Sequence, residues 1–168
     1  MAALSHGAFR PYGARDLVGT EVAGAVKNVY AIACGLAIGS GLGDNARAAL
    51  VTRGLAEVTR LALAKGGAAE TLMGLAGLGD LVLTCSSPKS RNMSLGLELG
   101  QGKSLEAIQG ARKSVAEGVT TAPAVLALAR SLGIEMPIAA AVDRILHAGS
   151  SLAAEAENLL ARPLKRER

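Results

Sequence analysis

The stretch from residue 22 to residue 42 limits what this chain can fold into more than any other segment, because Lys27 is its only charged residue. A helix of this length could cross a lipid bilayer. The stretch also contains Asn28, Ser40 and four glycines, and a lysine that faces lipid is energetically costly. We therefore expect a helix buried at the centre of a protein bundle, and no membrane span.

The kinds of apolar residue in the chain favour helices over strands. Alanine and leucine are abundant, whereas the 168 residues include one Phe, two Tyr and no Trp. Strands favour β-branched and aromatic residues, and Ala and Leu favour helix. The length is sufficient for one domain with its own core. We predict an all-α fold, a compact bundle of several helices.

The charge distribution argues against nucleic acid as a partner. The formal net charge is +4 and the pI is about 9.4, and much of the excess lies in residues 162–168, a short basic tail of the kind that is usually solvated. Binding to nucleic acid would require basic residues along one face, with aromatic side chains for stacking. Here the charges are mixed and the aromatics are scarce.

The two cysteines indicate neither a metal site nor a disulfide framework. Cys34 and Cys85 lie in apolar surroundings, without another Cys or a His at metal-ligand spacing. We expect both to be small buried hydrophobic side chains. Residues 1–9 lack the apolar core of a signal peptide, so we expect a cytoplasmic protein.

Caps and breakers divide the chain into helices with short connections. Asp16 is the expected N-cap of the first helix, and Asp44 or Asn45 is the expected N-cap of the second. The patterns predict helices over residues 17–38, 44–65, 69–75, 93–99, 104–109, 121 or 123 to 132, 137–147 and 151–161.

Several details of this assignment depend on local patterns. Residues 9–12 fit the end of a strand, and residues 39–43 (GSGLG) fit a helix end with a tight turn better than a nucleotide-binding loop, because they follow a helix. Residues 113–118 are ambiguous, with an extended conformation as one option. Arg53, Glu57 and Arg60 are spaced to share one polar face of the second helix.

Lys27 is the first candidate for chemistry. A lysine within an apolar helix must form an ion pair, extend its ammonium group to solvent or shift its pKa. Lysines in such surroundings can donate and accept protons in catalysis. From its position alone, a structural, salt-bridged role and a catalytic role are equally good interpretations.

Two further groups of polar residues could bind a ligand. Asp80 and Thr84 are four residues apart, so they point to the same side if a helical turn begins at Gly79; Asp80 could equally be a helix cap. Ser90, Arg91 and Asn92 place a hydroxyl, a guanidinium and an amide together after a proline, a set suited to phosphate or polyol recognition, or to a plain exposed loop.

The lone histidines, His6 and His147, are expected to be structural. His147 is placed at the end of a helix, where a cation or a hydrogen bond complements the helix dipole.

Four blocks taken together resemble the bacterial-type NAD(P)-dependent glycerol-3-phosphate dehydrogenases. They are residues 24–28 (GAVKN), 41–57 (GLGDNARAALVTRGLAE), 77–85 (GLGDLVLTC) and 90–92 (SRN), in the order and spacing of that family. The resemblance extends over nearly the whole chain. It implies the helical C-terminal substrate-binding domain, which has a fold like that of the 6-phosphogluconate dehydrogenase C-terminal domain.

The resemblance also implies roles for individual residues. Lys27 matches the group that exchanges a proton with the C2 oxygen of the substrate, and Asp80 matches the substrate-binding aspartate of that site. The residues that match the substrate-binding positions are Ser90, Arg91 and Asn92, and Thr84 is added to them because of its spacing from Asp80. The residues that match the cofactor-contacting positions are Arg91, Val115 and Glu117. The implied cofactor is NAD or NADP, and the implied substrates are glycerol 3-phosphate and dihydroxyacetone phosphate.

Smaller departures from the family pattern are Tyr30, where a smaller aliphatic residue is common, and Ile38, where an acidic residue is common.

The expected organisation is a connector over residues 1–15, a helical substrate-binding domain over 16–161 and the basic tail. The chain has no strand followed by a glycine fingerprint, so we expect the main cofactor-binding surface to lie in a Rossmann domain supplied in cis or in trans. The chain alone is then an inactive or weak dehydrogenase. The alternatives are one subunit of a split enzyme, or a non-enzymatic helical module that binds a partner or forms a homodimer.

Overall fold

The computed structural model describes residues 4–112 and 114–163, and within these ranges the regular secondary structure is helical. The helices are α1 (Leu17–Gly39), α2 (Gly43–Ala64), α3 (Ala69–Met73), α4 (Asp80–Ser86), α5 (Arg91–Gly100), α6 (Leu105–Ala111), α7 (Gly118–Ser131), α8 (Pro137–His147) and α9 (Leu152–Leu160), with a π-helical turn over Leu75–Gly79 before α4. The all-α expectation is confirmed. Lys113 and residues 164–168 of the basic tail lie outside the described residues.

Helix α1 lies at the centre of the bundle and packs against α2, α4, α5, α7 and α8. Asp16 caps it as expected, because its side chain accepts from the backbone nitrogen of Gly19 at 2.8 Å and also from that of Ala68 at 2.8 Å. The helix is long and apolar enough to span a membrane, yet 67% of that apolar window is buried inside the protein. The expectation of a buried central helix is therefore confirmed.

The contact between α1 and α5 is a contact between backbones. A Cβ atom on Gly35 would lie 2.1 Å from the carbonyl oxygen of Met93, and one on Gly96 would lie 2.1 Å from that of Ile32. Gly39 and Gly100 continue the same contact one turn further along each helix. Because no side chain separates the two helices here, their register is set by glycine.

A buried polar cluster joins α1, α2 and α8. The Tyr30 hydroxyl donates to Glu57 at 2.9 Å, and the backbone nitrogen of Ile138, in the first turn of α8, donates to the same carboxylate at 2.9 Å. Glu57 is only 2% exposed, and burial raises its pKa. The prediction that Glu57 belongs to a polar outer face was wrong, because helical spacing cannot distinguish a solvated carboxylate from one buried with its own donors.

Several element boundaries also differ from the sequence-based predictions. Helix α2 begins at Gly43 without a side-chain cap, and Asp44 lies in its first turn, where it pairs with Arg47 at 3.0 Å. Among residues 5–15 the one strand-like feature is an isolated bridge between His6 and Phe9, so residues 9–12 form no strand within the described part of this chain. Residues 114–117 form a bend and a turn before α7.

Cys34 and Cys85 are buried and free, as expected of small apolar side chains. A hydrogen bond with Cys34 and burial raise the pKa of the Cys85 thiol. Both side chains pack in the core where α1 meets α4.

Helix α7 begins at Gly118, earlier than predicted, and contains Pro123 in its interior. Proline has no N–H, so the carbonyl of Val119, four residues earlier, loses its partner within the helix. His147 supplies the missing donor, since its Nε2 lies 3.0 Å from the Val119 oxygen. The structural role expected of His147 is confirmed, and its hydrogen bond joins the end of α8 to the start of α7.

We expect His147→Ala to lower the free energy of unfolding by about 1 kcal/mol, the usual net value of such a hydrogen bond. In a Pro123→Ala background the backbone N–H of residue 123 can satisfy Val119 instead, so the cost should fall by at least half. Urea unfolding of the four proteins in this double-mutant cycle measures the coupling. Equal costs of His147→Ala in both backgrounds would contradict this account.

Helix α9 is held to α8 by one buried carboxylate. Arg144 donates to Glu155 through Nε at 2.8 Å and Nη2 at 2.6 Å, and Ser150 adds a hydrogen bond at 2.7 Å. The Glu155 side chain is only 3% exposed. The Arg144 guanidinium is the main reason that the pKa of Glu155 falls to about 2.

Because the pKa of Glu155 is depressed in the folded state, its contribution is present above the unfolded value of about 4.5 and is lost as the pH falls towards 2. The shift corresponds to at most about 3 kcal/mol. Urea unfolding between about pH 6 and about pH 2.5 should show most of this loss in the native chain. The loss of unfolding free energy at low pH should be much smaller in Glu155→Gln and undiminished in the exposed control Glu157→Gln. Identical pH profiles for the two variants would refute the assignment of this loss to Glu155.

Candidate functional site

Lys27 and Asp80 form an ion pair between α1 and α4. Their side chains are 24% and 34% exposed, so the pair lies at the edge of the core, where a ligand could reach it. Thr84 follows Asp80 by one helical turn, and its hydroxyl lies 3.3 Å from the Asp80 carboxylate and 2.7 Å from the Asp80 carbonyl oxygen. Of the three options for a lysine in an apolar helix, the structure shows the ion pair.

The π-helical turn before α4 determines how Asp80 enters this pair. Within it, the backbone nitrogen of Gly79 donates to the carbonyl oxygen of Gly74 at 3.1 Å, five residues earlier. Gly77 packs so closely on Leu72 that a Cβ would lie 2.1 Å from the Leu72 carbonyl oxygen. The wide turn continues directly into α4, of which Asp80 is the first residue.

Two buried amides lie beside the ion pair. Asn92 in α5 donates from its side-chain nitrogen to Asn28 Oδ1 at 3.0 Å, and Asn92 Oδ1 accepts from the backbone nitrogen of Gly118 at 2.8 Å. Asn28 follows Lys27 directly and is 9% exposed, and Asn92 is 5% exposed. The two side chains join the first turn of α5 to α1 and to the start of α7.

The outer edge of the site carries a second, more exposed ion pair. Arg91 Nη2 lies 3.1 Å from Glu117 Oε1, and Asn28 donates to the other oxygen of Glu117 at 3.3 Å. The side chains of Arg91 and Glu117 are 54% and 60% exposed, and Val115 in the same segment is 65% exposed. This edge offers a guanidinium, a carboxylate and an apolar side chain to a ligand.

Residues 90–92 do not form the expected loop. Ser90 is the N-cap of α5, because its hydroxyl accepts from the backbone nitrogen of Met93 at 3.3 Å, and Arg91 and Asn92 form the first turn. The irregular segment between α4 and α5 covers only residues 87–90, and the sequence suggested that it would continue to residue 92. The hydroxyl of Ser90 is thus used by the helix, whereas Arg91 projects outward and Asn92 inward.

Sequence reasoning missed Asn28, although the signal was present. A polar amide next to Lys27 in an apolar helix must find hydrogen-bond partners, by the argument applied to the lysine. The structure gives it two, Asn92 and Glu117. Asn28 therefore connects the buried amides to the exposed edge of the site.

The arrangement is suited to an anionic, hydroxyl-bearing ligand. An ammonium held by a carboxylate can exchange a proton with a hydroxyl or carbonyl oxygen, and the Arg91 guanidinium can hold a phosphate through paired hydrogen bonds. Arg91, Val115 and Glu117 place polar and apolar side chains together at the exposed edge of the site. In the part of the chain described, no group of three or more His, Cys, Asp or Glu side chains could hold a metal ion.

A family model described as the NAD-dependent glycerol-3-phosphate dehydrogenase C-terminus matches residues 16–157. The glycerol-3-phosphate dehydrogenase [NAD(P)+] of Parvibaculum lavamentivorans is 62% identical over 159 residues, which cover 95% of this chain and 48% of that protein. That of Maricaulis maris is 60% identical over 165 residues, 98% of this chain and 50% of that protein. This all-α chain thus belongs to the glycerol-3-phosphate dehydrogenase family and corresponds to its C-terminal domain.

A solved structure supports the same relationship. The crystal structure of glycerol-3-phosphate dehydrogenase from Coxiella burnetii matches with a TM-score of 0.91 and 47% identity, over 96% of this chain and 50% of that one. The resemblance stated from the sequence blocks is confirmed. The chain spans about half the length of the curated relatives that it matches.

We expect Asn92→Ala to lower the free energy of unfolding by about 3 kcal/mol, because it leaves Asn28 Oδ1 and the Gly118 nitrogen buried without partners. Asn45→Ala, at an exposed position of α2, is the matched control and should change stability by less than about 0.5 kcal/mol. Denaturant unfolding measures both. A loss below about 1 kcal/mol for Asn92→Ala would mean that the two groups find other partners.

Proposed function

We propose that this chain is the substrate-binding half of an NAD(P)-dependent glycerol-3-phosphate dehydrogenase, and that it acts in the cytoplasm with a Rossmann domain supplied in cis or in trans. In this proposal, residues 16–161 form the substrate domain. The observation that carries it is the Lys27–Asp80 pair beside Arg91, in a chain of this family. The reaction interconverts glycerol 3-phosphate and dihydroxyacetone phosphate.

Lys27 is the proposed proton donor and acceptor. When dihydroxyacetone phosphate is reduced, the C2 oxygen must gain a proton, and the Lys27 ammonium donates it. When glycerol 3-phosphate is oxidised, the C2 hydroxyl loses that proton to the Lys27 amine. The partial burial of the pair limits competing protons from water.

Asp80 is proposed to orient the Lys27 ammonium towards C2 and to accept a hydrogen bond from a substrate hydroxyl. Thr84 supports the Asp80 carboxylate from the next turn of α4. Arg91 is proposed to hold the phosphate, and the hydrogen bonds of Ser90 and Asn92 position the helix turn that carries it. The substrate would then lie between α4 and the first turn of α5.

NAD or NADP, when bound, supplies or accepts the hydride at C2. Arg91, Val115 and Glu117 are the residues of this chain proposed to contact it, and their exposure leaves them accessible. Apolar side chains near Asp80 are also exposed, with Leu75 at 67%, Val82 at 42% and Leu83 at 67%. A Rossmann domain that covered this surface would bury them and exclude water from Lys27.

The chain alone should reduce dihydroxyacetone phosphate weakly or not at all, whereas fusion to the unmatched N-terminal half of the Parvibaculum relative should give turnover. In that fusion, Lys27→Met should lower kcat by about 10²–10⁴-fold, the usual contribution of a general acid. NADH or NADPH consumption measures the rate.

The matched control is Lys65→Met, at an exposed residue just after α2, which should retain the activity of the fusion. Turnover of the Lys27→Met fusion within about threefold of the unmodified fusion would contradict the proposed proton transfer. Full activity of the chain without any added domain would contradict the proposed dependence on a Rossmann domain.

A further inference from the structure

Arg112 makes two contacts that the proposed reaction does not explain. It follows α6 directly, and its Nη1 donates to the backbone carbonyl oxygen of Arg91 at 2.9 Å. Its Nη2 forms an ion pair with Glu98, further along α5. The Arg112 side chain is only 19% exposed. A guanidinium this far buried, with a backbone carbonyl as one partner, is a fixed structural link and not a loose surface ion pair.

Glu98 has a second partner that makes a useful comparison. Lys103 Nζ lies 2.8 Å from Glu98 Oε2, and its side chain is 56% exposed. Hydrogen bonds from Lys103 and Arg112 hold the pKa of Glu98 below its ordinary value, so this carboxylate is charged at neutral pH. Both cations bind the same carboxylate, but the hydrogen bond to the Arg91 carbonyl oxygen comes from Arg112.

Arg112 also stands at the start of the segment that forms the outer edge of the site. The segment continues through residues 114–117, which include Val115 and Glu117, to Gly118 at the start of α7. At its far end, the Gly118 nitrogen donates to Asn92 at 2.8 Å. Both ends of the segment are thus attached to the first turn of α5, by Arg112 at one end and by Asn92 at the other.

We propose that Arg112 is a positioning residue that holds the Arg91 turn and the 114–117 segment together. This inference rests on the proposed function, in which Arg91 holds the phosphate and Val115 and Glu117 contact the dinucleotide. The guanidinium fork is required because it reaches the Arg91 carbonyl and the Glu98 carboxylate with two different nitrogens. The single nitrogen of a lysine cannot reproduce that fork.

The test compares Arg112→Met, which keeps an apolar stem, with Lys103→Met, which removes the other partner of Glu98. Without ligand, ¹⁵N relaxation of residues 114–117 reports backbone order, and the side-chain Nε–H resonance of Arg91 reports its surroundings. In Arg112→Met the order parameters of the segment should fall below about 0.6 and the Arg91 resonance should shift. In Lys103→Met both should match the unmodified chain.

Calorimetric titration with glycerol 3-phosphate gives the functional readout. We expect Arg112→Met to weaken binding by about tenfold, the loss that follows when one charge-assisted hydrogen bond no longer positions the phosphate-binding group. Amide resonances of α8 and α9 should stay unchanged, which separates local positioning from a general loss of stability. If Arg112→Met does not fold, Arg112→Lys replaces it, with the same loss of order and the same shift expected.

The proposal would be overturned if Arg112→Met matched Lys103→Met in the backbone order of residues 114–117, in the Arg91 resonance and in the affinity for glycerol 3-phosphate. Full backbone order of that segment in a folded Arg112→Lys would also overturn it. If the unmodified chain does not bind glycerol 3-phosphate, the proposed substrate site fails in this chain. The measurements of order and of the Arg91 resonance need no ligand, so they still decide whether Arg112 positions the segment.

Discussion

The backbone contact between α1 and α5 is the constraint on which the rest of the site depends. Gly96 approaches the Ile32 carbonyl and Gly100 approaches the Leu36 carbonyl, so the two parallel helices meet at intervals of four residues. The next contact towards their N-termini is the hydrogen bond between Asn28 and Asn92. Glycine packing deep in the bundle therefore determines which polar side chains meet at its edge.

This register also explains why two charged pairs of different exposure lie side by side. Lys27 and Asn28 are consecutive in α1, so their side chains diverge around the helix, one towards α4 and the other towards α5. Lys27 meets Asp80 at the edge of the core, and Asn28 leads through Glu117 to the exposed Arg91. The proposed proton-exchanging group, Lys27, and the proposed anion-binding group, Arg91, are thus both supported by α1.

The fold could be predicted from the sequence largely because its central helix is so unusual. A long apolar stretch with one lysine has few compatible environments, and the N-cap at Asp16 and the all-α character followed from residue preferences. Glu57 and the 90–92 turn could not be predicted in the same way. Whether a carboxylate is buried, or whether a polar triplet starts a helix, depends on donors and neighbours brought from distant segments, such as Ile138 for Glu57.

The residues of the candidate site also divide into those that the sequence indicated and those that only the structure revealed. Lys27 and Asp80 were candidates from the sequence because charged residues in apolar or glycine-rich blocks are conspicuous, and Arg91 was a candidate because it lies in a polar triplet after a proline. Asn28 and Arg112 were not, since their importance lies in what they contact, and those contacts join residues far apart in the chain. Sequence patterns thus indicated the groups that we propose to meet a ligand, and the structure was needed to find the side chains that hold those groups in place.

The buried Tyr30 has a consequence for exchanging residues between this chain and its relatives. Its ring occupies the space beside Gly54, where an added Cβ would lie 2.6 Å from the ring, and its hydroxyl is bound by Glu57. A small aliphatic residue at position 30 would open a cavity and deprive Glu57 of a donor at the same time, while any larger residue at position 54 would collide with the ring. Positions 30, 54 and 57 are therefore coupled in this chain, and a substitution at one of them alone disturbs the packing or the hydrogen bonding of the others.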